Sequence, residues 1–287
     1  MKISTETNSA RKLVGSEKAI ELIAKAGFDA FDFSMFEMAS YNWSTGELII
    51  GDSPLNGDGY LKYIHTIKKI ADDNGIVCNQ THAPFPTQAT GIEKYIKRAI
   101  ECSAELGAEY CIVHPLSLSP LEENIAYYNE LLPFAKDCGV IIATENMFGW
   151  DSSKNRAQPA ACSPHTEFAS LLDAVKDDYL VACLDIGHAE LDGVGTSAVE
   201  MINALGSKLR ALHIHDNNLK SDLHKLPFTD SIDFDKVIRA LKHKGYSGYL
   251  TLEADAHLRS YSAENVFEGI KVMAQSARRL SDMFEAL

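Results

Sequence analysis

Six stretches of this chain share one pattern: a continuous apolar run ends abruptly in a carboxylate or an imidazole. They are Cys78 to His82, Tyr110 to His114, Val140 to Glu145, Val181 to His188, Leu209 to Asp216 and Tyr249 to Asp255. A run that is apolar without alternation marks a strand buried on both faces, as in a parallel sheet covered by helices. Reactive groups confined to the C-terminal end of such strands are the arrangement of an α/β barrel, whose active site is built at that end. Two further strands, Lys2 to Thr7 and Phe28 to Phe36, complete a set of eight.

Helical periodicity fills the intervals. Helices are expected at Glu17 to Ala26 with Ser16 as cap and Gly27 as stop, at Gly59 to Asn74, Ile92 to Leu106 and Leu121 to Cys138. Others follow Pro164 and span Ser197 to Leu205, Phe234 to Lys244 and Ala263 to Phe284. Eight alternations of strand and helix predict an α/β fold, a single (β/α)8 TIM barrel over residues 1–287. No Pro/Gly/Ser-rich linker or shift of composition divides it. Glu37 to Asp58 and Met147 to Pro164 lack a sustained period and read as long loops over the barrel mouth, the first carrying Tyr41 and Trp43.

The polar start, Met1 to Lys12, has no apolar signal-peptide core, and no apolar run is long enough to span a bilayer. A cytoplasmic protein without membrane contact is expected. The 6 cysteines form no Cys-x-x-Cys pair and read as small core residues. A formal net charge of -13 disfavours a nucleic-acid partner and points to small-molecule chemistry.

In a barrel the strand ends converge, so His82, His114, Glu145, Asp185, His188, His213, His215, Asp222, His224 and Glu253 should share one mouth. None of these histidines is expected on a helix, whereas His65, His165 and His243 are assigned to helices or caps. Imidazoles and carboxylates gathered at one mouth are stabilised most simply by a divalent metal.

The ordered strings Thr81-His-Ala-Pro84, Val113-His-Pro115, Thr144-Glu-Asn146, Leu184-Asp-Ile-Gly-His188, Leu212-His-Ile-His-Asp-Asn217, Asp222-Leu-His224 and Leu252-Glu253 resemble the xylose isomerase-like barrel superfamily. That group includes sugar and sugar phosphate isomerases and epimerases, inosose isomerases and dehydratases, and endonuclease IV, the type of AP endonuclease family 2. The resemblance to the epimerase branch implies one divalent ion, manganese, magnesium or cobalt, held by Glu145, Asp185, His213 and Glu253. It further implies proton abstraction through an enediolate, with Glu145 and Glu253 as catalytic residues. His188, His215, His82 and His114 would meet the substrate, a sugar or polyol-derived small molecule. A homo-oligomer, paired through the helical ring, is one assembly the resemblance allows.

Two features pull in other directions. Where tagatose- and psicose-type epimerases carry an arginine after the strand-seven histidine, this chain has Asp216-Asn-Asn-Leu-Lys220, which counts against a free ketohexose. Lys220 and Lys225 are then candidates for an acid or phosphate group, and Asp151 for a substrate hydroxyl. The nine positions that hold three zinc ions in endonuclease IV are also all filled, with His82, His114, His188, Asp222 and His224 as additional ligands. A trinuclear zinc phosphodiesterase is therefore the competing expectation, and a C-glycoside-cleaving relative or an inosose dehydratase the third.

Overall fold

The computed structural model describes residues 1–287. Eight parallel strands form one sheet: β1 Ile3–Glu6, β2 Ala30–Ser34, β3 Val77–His82, β4 Tyr110–Ile112, β5 Ile141–Glu145, β6 Leu180–Asp185, β7 Leu209–His213 and β8 Leu250–Leu252. Neighbours follow the order β7-β6-β5-β4-β3-β2-β1-β8. The remaining seam is bridged where the Ile214 N–H donates to Thr251 O at 2.9 Å and the Glu253 N–H donates to Ile214 O at 3.0 Å. The sheet thus closes into a barrel, and the second of these bonds anchors Glu253 at the mouth beside the end of β7.

Helices α2 Ser16–Ala26, α3 Tyr60–Asp73, α4 Glu93–Leu106, α5 Leu121–Cys138, α6 His165–Val175, α8 Ala198–Leu205, α9 Phe234–His243 and α10 Val266–Glu285 surround it, with short helices α1 Asn8–Val14 and α7 Ile186–Ala189 at the mouth. Their placement follows from spacing. In α9 the residues Phe234, Val237, Ile238 and Leu241 recur every three or four positions and are all buried, each contributing about 1.5–3 kcal/mol. Asp233 caps that helix by accepting the Lys236 N–H. One continuous apolar cluster of 69 buried residues lies mainly between sheet and helices and pins the strands from outside, and a smaller apolar cluster of Tyr110, Ile112, Ala143, Val181, Cys183 and Ala211 occupies the alternate positions of β4 to β7.

The structure departs from the sequence-based expectation in four places. Ser16 is the first residue of α2 and makes no cap; Gly15, at φ 79°, stands before it. The helix α1 is unexpected, its 7 residues being too few to carry a period. Both long loops contain antiparallel hairpins, Ser40–Asn42 with Glu47–Ile49 and Phe148–Asp151 with Arg156–Pro159. His188 lies in the helical turn α7, not on the strand itself. All 6 cysteines are free. No helix is long and apolar enough to cross a membrane.

Candidate metal centre and active site

All ten of the converging residues meet at the C-terminal mouth. Glu145, at the end of β5, is the hub. Its Oε2 lies 3.1 Å from His213 Nδ1 and 3.3 Å from His114 Nε2, and its Oε1 is 3.8 Å from His188 Nδ1. Glu253 Oε2 stands 3.5 Å from His213 Nδ1 and its Oε1 3.7 Å from His82 Nδ1. One donor atom from each of Glu145, Asp185, His213 and Glu253 fits within a 4.8 Å cluster, and the same holds for His82, His114 and Glu145, and for His188, His215, Asp222 and His224.

Each ligand candidate is held from behind. The Asn146 side chain forms two bonds with the Asp185 backbone, accepting its N–H at 2.8 Å and donating to its carbonyl at 2.9 Å. This amide pair continues the β5–β6 seam past the ladder. The Asn146 carbonyl also lies 2.9 Å from His188 Nδ1, so that nitrogen carries the donated proton and Nε2 is turned towards Asp222, 3.6 Å away. Asp185 Oδ1 accepts the His188 N–H at 2.7 Å and so caps α7. His224, in the left-handed region at φ 43°, turns Nδ1 onto the Glu253 carbonyl at 2.8 Å and Nε2 onto Asp222 at 3.0 Å. The His215 and His224 rings stack at 4.1 Å.

Two buried groups absent from the expected set complete the support. Asp32 on β2 accepts from His213 Nε2 at 3.0 Å and from the Gln80 side-chain amide at 2.9 Å. The His213 proton therefore sits on Nε2, leaving Nδ1 for the mouth. The sequence did carry a signal for Asp32: it is an acid flanked by Phe31 and Phe33 in a strand buried throughout. Glu6, at the end of β1, also faces the cavity, but its strand reads Ile3-Ser-Thr-Glu6 and lacks the apolar run that marks the other strand ends.

Electrostatics express the crowding. Burial raises the carboxyl of Glu145, but the His213 and His114 imidazoles outweigh it and hold the group well below its usual range. Burial pushes Glu253 up to about 8, opposed by His213 and His224 and reinforced by Glu145 and Asp185. Burial would lower His188, yet Asp185 and Asp222 drive it to about 10. For His82 burial dominates, and the neighbouring His114 and His213 add to it, so its pKa falls far below the ordinary value.

The donor set fits a divalent cation. Asp185 Oδ2 and His215 Nδ1 are buried without a hydrogen-bond partner, and His215 Nε2 meets only the carboxylates of Asp185 at 3.1 Å and Asp222 at 3.4 Å; such a concentration of buried acids and bare donors is costly, and a cation relieves it. Three carboxylates with one imidazole suit a hard or borderline ion, whereas the two imidazole-rich groups suit zinc.

Of this cluster, His82, His114, Glu145, His188, Asp222, His224 and Glu253 form one wall of a cavity of about 920 Å³, with Asp185, His213 and His215 behind them. Tyr41 and Trp43 line it, whereas Asp151, Lys220 and Lys225 do not. Asp151 instead stabilises its own hairpin turn, accepting from Ser153 and Lys154. Lys225 pairs with Asp230 at 2.6 Å. The expected anchors for an acid or phosphate are thus directed elsewhere. His65 lies in α3, His165 opens α6 and His243 ends α9, as expected, while His257 falls in the 3-10 turn Asp255–Ser260.

A closed parallel barrel whose strand ends carry a carboxylate-imidazole cluster defines the class: a (β/α)8 protein with a mouth lined by acids and imidazoles. The family profile described as "Xylose isomerase-like TIM barrel" matches residues 20–280, and the chain belongs to that family. Among its relatives, the uncharacterised protein y4fM of Sinorhizobium fredii is 35% identical over 264 residues, 83% of this chain and 81% of that one. Fructoselysine 3-epimerase of Shigella flexneri is 27% identical over 168 residues, 55% of this chain and 56% of its own length. Of solved structures, the IOLI protein with a binding zinc atom superposes with a TM-score of 0.72 at 19% identity, covering 100% and 99% of the two chains. A D-psicose 3-epimerase in the presence of D-fructose gives 0.71 at 16% identity, covering 98% and 99%. At these identities the superpositions establish the shared fold.

Proposed function

We propose that the chain is a divalent-metal-dependent isomerase or epimerase acting on a sugar, a sugar phosphate or an inosose. The observation that carries this is the convergence of two glutamates from strands three places apart around the barrel, Glu145 at the end of β5 and Glu253 after β8, with Asp185 and His213, within 4.8 Å of one another. The epimerase names among its relatives and structural neighbours support the same class. Glu145, Asp185, His213 and Glu253 would hold the ion, manganese, magnesium or cobalt. When bound, such an ion polarises a substrate carbonyl and acidifies the adjacent C–H.

The residues then divide the work. One glutamate takes the proton from the carbon next to the carbonyl, and the pair of electrons left behind makes the substrate an enediolate. The other glutamate returns a proton. Delivery to the opposite face of the same carbon inverts it; delivery to the neighbouring carbon interconverts ketose and aldose. His188, with Nδ1 fixed on the Asn146 carbonyl, presents Nε2–H to a substrate oxygen and stabilises negative charge there. His82, His114 and His215 line or support the same wall. Loss of a hydroxyl from the enediolate in place of reprotonation would make the enzyme a dehydratase with the same residues.

A second reading is favoured by a separate observation. His82, His114 and Glu145 form another donor cluster, and His188, His215, Asp222 and His224 a third. Filled with zinc, they would suit phosphodiester hydrolysis of the endonuclease IV type. Incubation with ketoses, ketose phosphates and inososes in heavy water separates the two. Metal-dependent deuterium uptake at a carbon next to a carbonyl is expected, whereas cleavage of abasic-site DNA without any exchange would replace the first reading with the second.

A further inference from the structure

The cavity has two halves of different origin. The chelating half comes from strand ends β3 to β8. The other half is built after β1 and β2: Asn8 and Arg11 come from α1, Glu37 from the turn after β2, and Tyr41 and Trp43 from the first hairpin. At the density of close-packed organic matter, a free hexose of about twelve heavy atoms occupies roughly 200 Å³. The cavity, at about 920 Å³, holds several times that.

The second half has the make-up of a carbohydrate subsite. Trp43 packs edge-on against Tyr41, with centroids 4.9 Å apart at 82°, and its indole remains 73% exposed. An indole fixed by its edge offers an apolar face to the C–H side of a pyranose. Opposite in kind is a rigid polar trio: Arg11 donates to Glu37 Oε2 at 3.0 Å and to Asn8 Oδ1 at 2.8 Å. Arg11 pairs with Glu37 at 3.0 Å and Arg259 with Asp255 at 3.4 Å, and Lys12, the remaining cation of this lining, is matched by the acids Glu6 and Asp52 on the same lining, so cations do not outnumber carboxylates there. Planar, charge-balanced donors and acceptors suit vicinal hydroxyls better than a phosphate or carboxylate, which would need a surplus cation.

From this we infer that the α1 and first-hairpin side of the cavity is a second glycosyl subsite, so that the substrate is a keto-sugar carrying a further neutral, sugar-sized group. The inference rests on the enolising reading for the keto-sugar half alone.

Calorimetric binding to the metal-loaded protein tests it with cellobiose, maltose and trehalose against glucose, fructose, fructose 6-phosphate and a fructosyl amino acid. At least one neutral disaccharide should bind tenfold or more tightly than either monosaccharide, and Trp43→Ala should remove at least tenfold of its affinity. Trp150→Phe, on the other hairpin and outside the cavity, should leave that affinity unchanged. Equal affinity for mono- and disaccharides, indifference to Trp43→Ala, or preference for the phosphate or the amino acid conjugate would overturn the inference. A disaccharide carrying a ketone, incubated with the metal-loaded protein in heavy water, separates the two readings: tight binding without exchange next to the ketone would sink the enolising reading and leave the subsite standing.

Discussion

Asp32 Oδ2 lies 3.0 Å from His213 Nε2, and both side chains are fully buried. The carboxylate fixes the tautomer that turns Nδ1 to the mouth, 3.1 Å from Glu145 and 3.5 Å from Glu253. Partners of this kind behind a ligating histidine typically govern metal affinity by 10–100-fold. Asp32→Asn should therefore weaken manganese or zinc binding by about that factor, read by competition with a chromophoric chelator. Unchanged affinity would show that His213 needs no such support.

Much of this centre was legible in the sequence, because a buried parallel strand is apolar along most of its length and the switch from apolar to acid or imidazole marks the mouth. Glu145, Asp185, His213 and Glu253 followed from that switch and the family motifs. Asp32 lies inside its strand and not at its end, so that switch misses it; its only signal was an acid set between Phe31 and Phe33, and its partner His213 is far away in sequence. The turn that carries His188 is four residues long and held by Asp185 as cap, too short for any periodicity. The hairpin around Trp43 has strands of 3 residues, each shorter than an alternating pattern requires.

Glu145→Gln and Glu253→Gln keep the shape of each side chain and remove its ability to take a proton. Each should lower solvent proton exchange into an identified substrate by at least about 10²-fold, while circular dichroism and melting stay close to the parent. Near-parental exchange in either variant would remove that glutamate from the proposed pair.

A Cβ built at Gly187 would stand 1.9 Å from His215 Cε1 and 2.3 Å from its Nε2. The backbone of α7 and the fully buried ring cannot both stay in place. Gly187→Ala should destabilise the fold by about 1–3 kcal/mol in urea unfolding. It should also displace His215 from its stack on His224. A neutral result would mean the turn can shift without cost.

Burial pushes the Glu6 carboxyl up to about 7, against the bonds it accepts from Ser9. The residue is only 4% exposed, so solvent does little to screen its carboxyl. Because the folded state holds this proton more tightly than the unfolded chain, the unfolded state binds fewer protons between the ordinary glutamate range and about pH 7. Stability contributed by Glu6 is thus complete at low pH and is lost as pH rises through that window, by up to about 3 kcal/mol. Glu6→Gln should flatten this slope and raise the melting temperature more at pH 8 than at pH 5. Parallel pH profiles for the two proteins would refute the assignment.

The number of ions decides between enolisation and metal-hydroxide chemistry, and His224 is the residue that tells them apart. It belongs to the cluster with His188, His215 and Asp222, not to the set of Glu145, Asp185, His213 and Glu253. Its Nδ1 contacts the Glu253 backbone carbonyl at 2.8 Å, so its loss removes a ligand of the outer cluster without removing a donor of the inner one. Elemental analysis of protein prepared without chelators should find about one ion per chain for an isomerase, and His224→Ala should leave that content unchanged. If the parent instead holds close to three zinc ions, and His224→Ala loses one of them together with phosphodiesterase activity, then the outer clusters are occupied sites and the chemistry at Glu145 is that of metal-activated water.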